Sequence, residues 1–195
     1  MEQKSFLTAD EVIELLKEAL PDDETWHEAY KELAEKTKTH FFGYNYIGFE
    51  PPSDKLIRLL QYGATILRSR GIYVYFKFNQ TPPRPRLILF IAGECGRVYE
   101  RLKKQAEYLA DLSVFIDEHE NELPKSMTAK KKKIEDYANT IASRFLWQLG
   151  ELYIQGDKEA LKSLCEEAWE FADEIDAYLD RIIDLRRLHA ISLIL

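Results

Sequence analysis

The hydrophobic pattern of this chain departs from a helical period in one stretch. From Ile72 to Phe78 the apolar residues Ile72, Val74, Phe76 and Phe78 alternate with Tyr73, Tyr75 and Lys77, a period of two that predicts a half-buried strand. The run Leu87 to Ala92 is apolar on both faces, and Gln80 to Arg86 between them carries Pro82, Pro83 and Pro85, which cannot extend a ladder. The two limbs predict one antiparallel hairpin over 72–92. Ordering such a hairpin costs more than its own side chains recover by burial, so it must lean on helices or on a further strand from another chain.

Everywhere else the spacing is helical. Thr8 is placed to cap a first helix with Val12, Leu15, Leu16 and Leu20 on one face, ended by Pro21. A second helix, capped by Asp22 or Asp23, runs from Glu24 to about Thr39 on Trp26, Tyr30 and Leu33. Ser53 caps a third through Arg70 on Leu56, Leu59, Leu60, Ala64 and Leu67, with Gly71 at the left-handed C-cap. After Gly93 and Gly96 a long helix is expected from Arg97 to Glu120, its stripe Val98, Leu102, Leu109, Leu112 and Ile116 broken by Gln105. Ala129 to Gln155 predicts another on Ile134, Tyr137, Ile141, Phe145, Leu149 and Leu152, closed by Gly156. The last, capped by Asp157, follows Leu164, Ala168, Phe171, Ile175, Tyr178, Ile182, Leu185 and His189 almost to the end of the sequence.

The expected fold is therefore mainly α (α+β): six or seven helices with one central antiparallel β-hairpin. A single domain over 1–195 is expected, its lobes 1–71 and 94–195 sharing the hairpin; 195 residues with 46% hydrophobic content suffice for one core. The last helix is about 50 Å long at 1.5 Å per residue, which suggests a homodimer through Ile175 and Ile182. The segment His40 to Pro52 is loop by its glycines and prolines, yet carries Phe41, Phe42, Tyr44, Tyr46 and Phe49, a candidate protein interface unless it packs back on the core.

Charge sharpens the picture. The net charge is −7, but it is unevenly spread: 9 basic against 13 acidic residues over 1–71, 3 against 0 over 72–92, 9 against 8 over 93–133, and 6 against 13 over 134–195. The basic middle singles out Tyr73, Tyr75, Lys77, Arg84, Arg86, Arg97, Arg101 and the run Lys130, Lys131, Lys132 and Lys133 as a candidate macromolecule-binding surface, with cations for phosphate and rings for stacking. The acidic run from Glu166 to Asp184 is expected to be the wet face of the last helix.

No motif brings catalytic groups together. Glu24-x-x-His27 is one half of a di-metal carboxylate pattern whose second half is missing, and Asp117 to Glu120 are sequential neighbours that point to different faces. Gly93-Glu94-Cys95-Gly96 lacks the ending of a phosphate loop. Cys95, before a helix start, is the one candidate reactive thiol, whereas Cys165 lies on an apolar stripe. Two cysteines make no disulfide framework, the N-terminus lacks a signal-peptide core, and no apolar run spans a membrane, so a cytoplasmic protein is expected. No catalytic, metal or cofactor site is assigned. The expected function is a non-catalytic adaptor, regulatory or accessory subunit that binds another protein through the hairpin, the aromatic loop and the long C-terminal helix. The alternative is a small helical subunit of a nucleic-acid-binding complex using the basic middle.

Overall fold

The structure, a computed structural model, describes residues 6–38, 52–79 and 86–192; within these, the side chains of 36–38, 76–79, 86–90, 154 and 183–192 are left aside. Its elements in order are α1 (Ala9–Ala19), α2 (His27–Lys38), α3 (Asp54–Ser69), β1 (Val74–Asn79), β2 (Arg86–Ala92), α4 (Gly93–Glu118), the single turn α5 (Lys125–Thr128), α6 (Lys131–Thr140), a π-helical segment (Ile141–Leu146), α7 (Trp147–Gln155) and α8 (Lys158–Ser192). The fold is mainly helical around one two-stranded antiparallel hairpin, and α6, the π segment and α7 form one continuous rod.

Local chemistry sets most of the boundaries. Thr8 and Glu11 form a reciprocal capping box at α1, and Ser53 accepts the Leu56 N–H at α3. Gly71, at φ +80°, turns the chain out of α3, and the Ile72 N–H returns to the Leu67 carbonyl at 2.9 Å. The Asp157 carboxylate accepts the Ala160 N–H at 3.0 Å and opens α8. At α2 the Asp23 carboxylate instead accepts the Thr25 N–H at 2.8 Å, so residues 24–26 form a turn and the helix starts at His27, later than the pattern suggests. In α3, Gly63 lies against α1: a Cβ there would come within 2.2 Å of Leu16 Cδ2.

One core joins the elements. It takes Leu7, Val12 and Leu16 from the N-terminal end, Leu56, Leu59, Leu60 and Leu67 from α3, Val74 and Ile91 from the hairpin, and the apolar stripes of α4, the rod and α8. In the rod, Ile141, Phe145, Leu149 and Tyr153 are all buried, at steps of four. Each such step drifts about 40° around a regular α-helix, and the wider π turn absorbs the extra residue and returns the stripe to one face. This shifts burial from the expected Leu152 to Tyr153. Just before and within the π segment, the Thr140 and Ser143 hydroxyls donate to carbonyls four residues back, at 2.8 and 2.6 Å, a competitor known to bend helices.

Three expectations are corrected here. First, α4 starts at Gly93, directly from β2, because Gly93 at φ +70° makes the strand-to-helix turn and Gly96 permits an approach to the Ile91 carbonyl that a Cβ would bring to 2.7 Å. Second, Cys95 is no reactive thiol: it is fully buried and disulfide-bonded to Cys165, with a Cα–Cα distance of 5.5 Å. The bond closes a loop with a sequence separation of 70, worth about 4 kcal/mol on a chain-entropy account, and the cysteines no longer argue for a reducing, cytoplasmic setting. Third, Ile175 and Ile182 belong to this chain's own core, at 0% and 2% exposure, so the α8 seam through Ile182 is spent internally and does not offer those residues to a second copy.

Tyr153 is enclosed and its hydroxyl has no hydrogen-bond partner among the described residues. Tyr153→Phe is therefore expected to leave stability unchanged or raise it by up to about 1 kcal/mol, whereas Tyr153→Ala should cost about 3–5 kcal/mol through the cavity. Urea denaturation of the two variants checks both signs.

Candidate functional site

The hairpin is held at its base. Gly93 N–H donates to the Tyr73 carbonyl at 2.9 Å, and Val74 through Lys77 then pair with Ala92 through Leu89 before a bulge between Lys77 and Phe78. Phe6 bridges Gly93 from the other side of β2. An antiparallel ladder alternates the direction of successive backbone groups. With Tyr73 bonded to β2, Tyr75 and Lys77 also aim theirs inward, while Val74 and Phe76 aim outward along the far edge of β1. The outward Val74 carbonyl is taken by the Arg68 guanidinium from the last turn of α3. No third strand pairs with β1 among the described residues.

Beside this edge lies Tyr73, with the guanidinium of Arg68 at 5.9 Å and that of Arg97 at 5.6 Å from its ring centre. Arg97 projects from the first turns of α4, half exposed, and besides the Tyr73 ring it has a long 3.7 Å contact to Glu94. Tyr75 is not an open stacking face: it packs on the core and against Tyr99, ring centres 5.7 Å apart. Burial, aided by the charge of Glu107, pushes its hydroxyl above the ordinary tyrosine range.

The other expected cations are distributed rather than gathered. Arg101 bonds Asp173 at 2.8 Å and also Asp176, and lies 5.3 Å from the Trp169 ring, so it ties α4 to α8. Lys131 pairs with Asp117 and, at 3.5 Å, with Glu135. Lys133 covers the rings of Tyr137 at 5.2 Å and Tyr178 at 4.8 Å. Asp117 is twenty residues along α4 from Arg97, about 30 Å at 1.5 Å per residue, so the lysine run and the hairpin base stand at opposite ends of that helix. Lys132 and Lys133 instead edge an open cleft of ≈ 560 Å³ over Tyr137 and Phe171, together with Asp136 and Glu174. Arg84 and the aromatic segment Phe41, Phe42, Tyr44, Tyr46 and Phe49 lie outside the described residues, as do the side chains of Lys77 and Arg86.

The acidic face of α8 is a set of intramolecular ties as much as a wet surface. Besides the Arg101 pairs, Arg144 bonds Glu167 at 2.6 Å and the Tyr137 hydroxyl donates to Glu174 at 2.6 Å. Gln105, the polar break in the α4 stripe, is buried and donates from Nε2 to the Ala172 carbonyl at 2.8 Å and to Asp176 at 2.6 Å. His27 meets Asp22 at 3.1 Å, and among the described residues no three His, Cys, Asp or Glu side chains stand where they would hold a metal ion. No described helix is long and apolar enough to cross a membrane.

The residues missed by pattern reading are Arg68, Tyr99 and Trp169. Arg68 carried a usable signal, since a cation three residues before a C-cap glycine and six before a strand can fold back on that strand's first carbonyl.

Burial alone would raise the Asp176 carboxyl, but the hydrogen bonds from Arg101 and Gln105 outweigh it and hold the group below the usual carboxylate range. The stabilisation this gives is complete above the unfolded value near pH 4 and fades as pH falls through the lower folded value. Glu11 behaves in the same way, with Lys158 and Thr8 outweighing its burial. Urea-unfolding free energies measured from about pH 6 down to pH 2 should fall with acid, and Asp176→Asn should start less stable at pH 6 and fall less.

Compared with known proteins, the chain matches no protein-family model, no curated sequence and no solved structure.

Proposed function

We propose that the protein is a non-catalytic binding subunit that docks another protein by strand addition along the outer edge of β1. The observation that supports this most directly is the hairpin itself: a two-stranded sheet whose β1 turns the backbone groups of Val74 and Phe76 away from β2, with no third strand beside it among the described residues. A strand edge is a template for an extended peptide, whose main-chain bonds give affinity while neighbouring side chains select the sequence. Arg68 holds the Val74 carbonyl and Phe6 bridges Gly93 behind β2, so the edge is presented from a fixed base.

A second reading, contact with nucleic acid, draws support from the Tyr73 ring with the guanidiniums of Arg68 and Arg97 both near it, a ring and two cations at one place. It is weakened by the distance to the lysine run and by the carboxylates that already pair Arg101 and Lys131.

Phe76→Pro removes one outward N–H and blocks edge pairing without taking a bond from the β1–β2 ladder. In affinity capture at about 0.1 M salt, wild type is expected to retain a stoichiometric, nuclease-resistant protein that Phe76→Pro loses while its circular dichroism is unchanged. Equal recovery by both chains contradicts strand addition. Nucleic acid in the eluate, lost with Arg97→Glu and falling steeply with salt, favours the second reading.

A further inference from the structure

We infer that the Cys95–Cys165 bond is a redox clasp: closed, it fixes the base of the hairpin against α8; opened by thiol exchange, it lets that base loosen while the rest of the α4–α8 seam stays docked. The inference does not require the proposed docking function.

The bond sits where β2 passes into α4. Cys95 is the third residue of α4 and three residues from Ala92, where β2 ends. Ala92 supplies no side-chain cap, and Gly93 and Gly96 both lie in the opening turn, so this end of the helix has poor intrinsic support. Further along α4, Arg101 and Gln105 tie it to α8, about 1.7 and 2.8 turns beyond Cys95. Those ties do not involve sulfur and survive reduction.

The site also suits the dithiol. Leu161's carbonyl stands 4.0 Å from Cys95 Sγ, which has no proton to give while bonded to Cys165 but has one as a thiol. Both sulfurs are fully buried, so a reductant reaches them only when the turn at Gly93 to Gly96 opens locally. The exchange is then ordinary. A glutathione thiolate attacks one sulfur, the Cys95–Cys165 bond breaks, and the departing cysteine thiolate takes a proton. A second glutathione thiolate displaces the remaining protein sulfur, which is protonated in turn, and leaves as glutathione disulfide. Two electrons and two protons pass to the cysteine pair, and the reverse sequence recloses it.

The test is a glutathione redox titration of the full chain. The oxidised fraction is counted by alkylation in denaturant and mass spectrometry, and amide hydrogen exchange is read at each point. The expected result is a transition from dithiol to disulfide, with exchange over 86–97 rising in the reduced form by about tenfold or more beyond any rise over 101–118 and 166–182, which change together only as far as loss of the loop constraint lowers global stability. The Cys95→Ala/Cys165→Ala double variant should resemble the reduced chain in every buffer. Both cysteines alkylated at every glutathione ratio would overturn the inference, as would identical exchange over 86–97 in the two states. Equal loss of protection over 101–118 and 166–182 would also overturn it, because the bond would then be a staple for the whole fold.

Discussion

The seam between α4 and α8 is the constraint on which the rest of this structure depends. Two long helices, 26 and 35 residues, bury apolar stripes in a common core, and an apolar seam alone tolerates sliding by a turn. Polar groups inside and beside it remove that freedom. Gln105 must find the Ala172 carbonyl and the Asp176 carboxylate, and Arg101 must find Asp173 and Asp176 over the face of Trp169. A register error of one turn would leave a buried amide and a shielded charge unpartnered, at a cost of about 1–3 kcal/mol for the amide alone. The Cys95–Cys165 bond marks the same register at the hairpin end.

From this seam follows the position of the surface with which the protein is proposed to work. β2 passes into α4 without a linker, so whatever fixes α4 also fixes the hairpin. Arg68 reaches from α3 to the first outward carbonyl of β1, and Arg97 reaches from α4 to the ring of Tyr73. Three elements, α3, β1 and α4, thus meet at the hairpin base. The same packing consumes much of the charge that looks available in the chain: Arg101, Lys131 and Arg144 are occupied by carboxylates of α4, α6 and α8.

Most of the architecture was legible because it rests on local rules. The caps at Thr8, Ser53 and Asp157, the glycines at 71 and 156 and the switch from period 3.6 to period 2 at Ile72 need no knowledge of what lies across the core. What was not legible depends on partners far along the chain. Gln105 looked like a defect in a stripe because its acceptor lies on a helix 67 residues away. The π turn moved burial from Leu152 to Tyr153 because a side-chain pattern records spacing and not the width of a turn. The cysteines looked unrelated at a separation of 70. The basic residues looked like one patch because charge counting along a sequence ignores that a helix about 39 Å long holds its two ends apart.

Residue-resolved amide exchange of the free chain by NMR tests the account at its centre, the outer edge of β1, which beyond the Arg68-held Val74 carbonyl no other described strand pairs with. If that edge is open, Phe76 exchanges quickly while Tyr75 and Lys77, bonded to β2, exchange slowly, an alternation along three consecutive residues. Equal protection at all three would mean that another segment already pairs with β1, and would contradict the account.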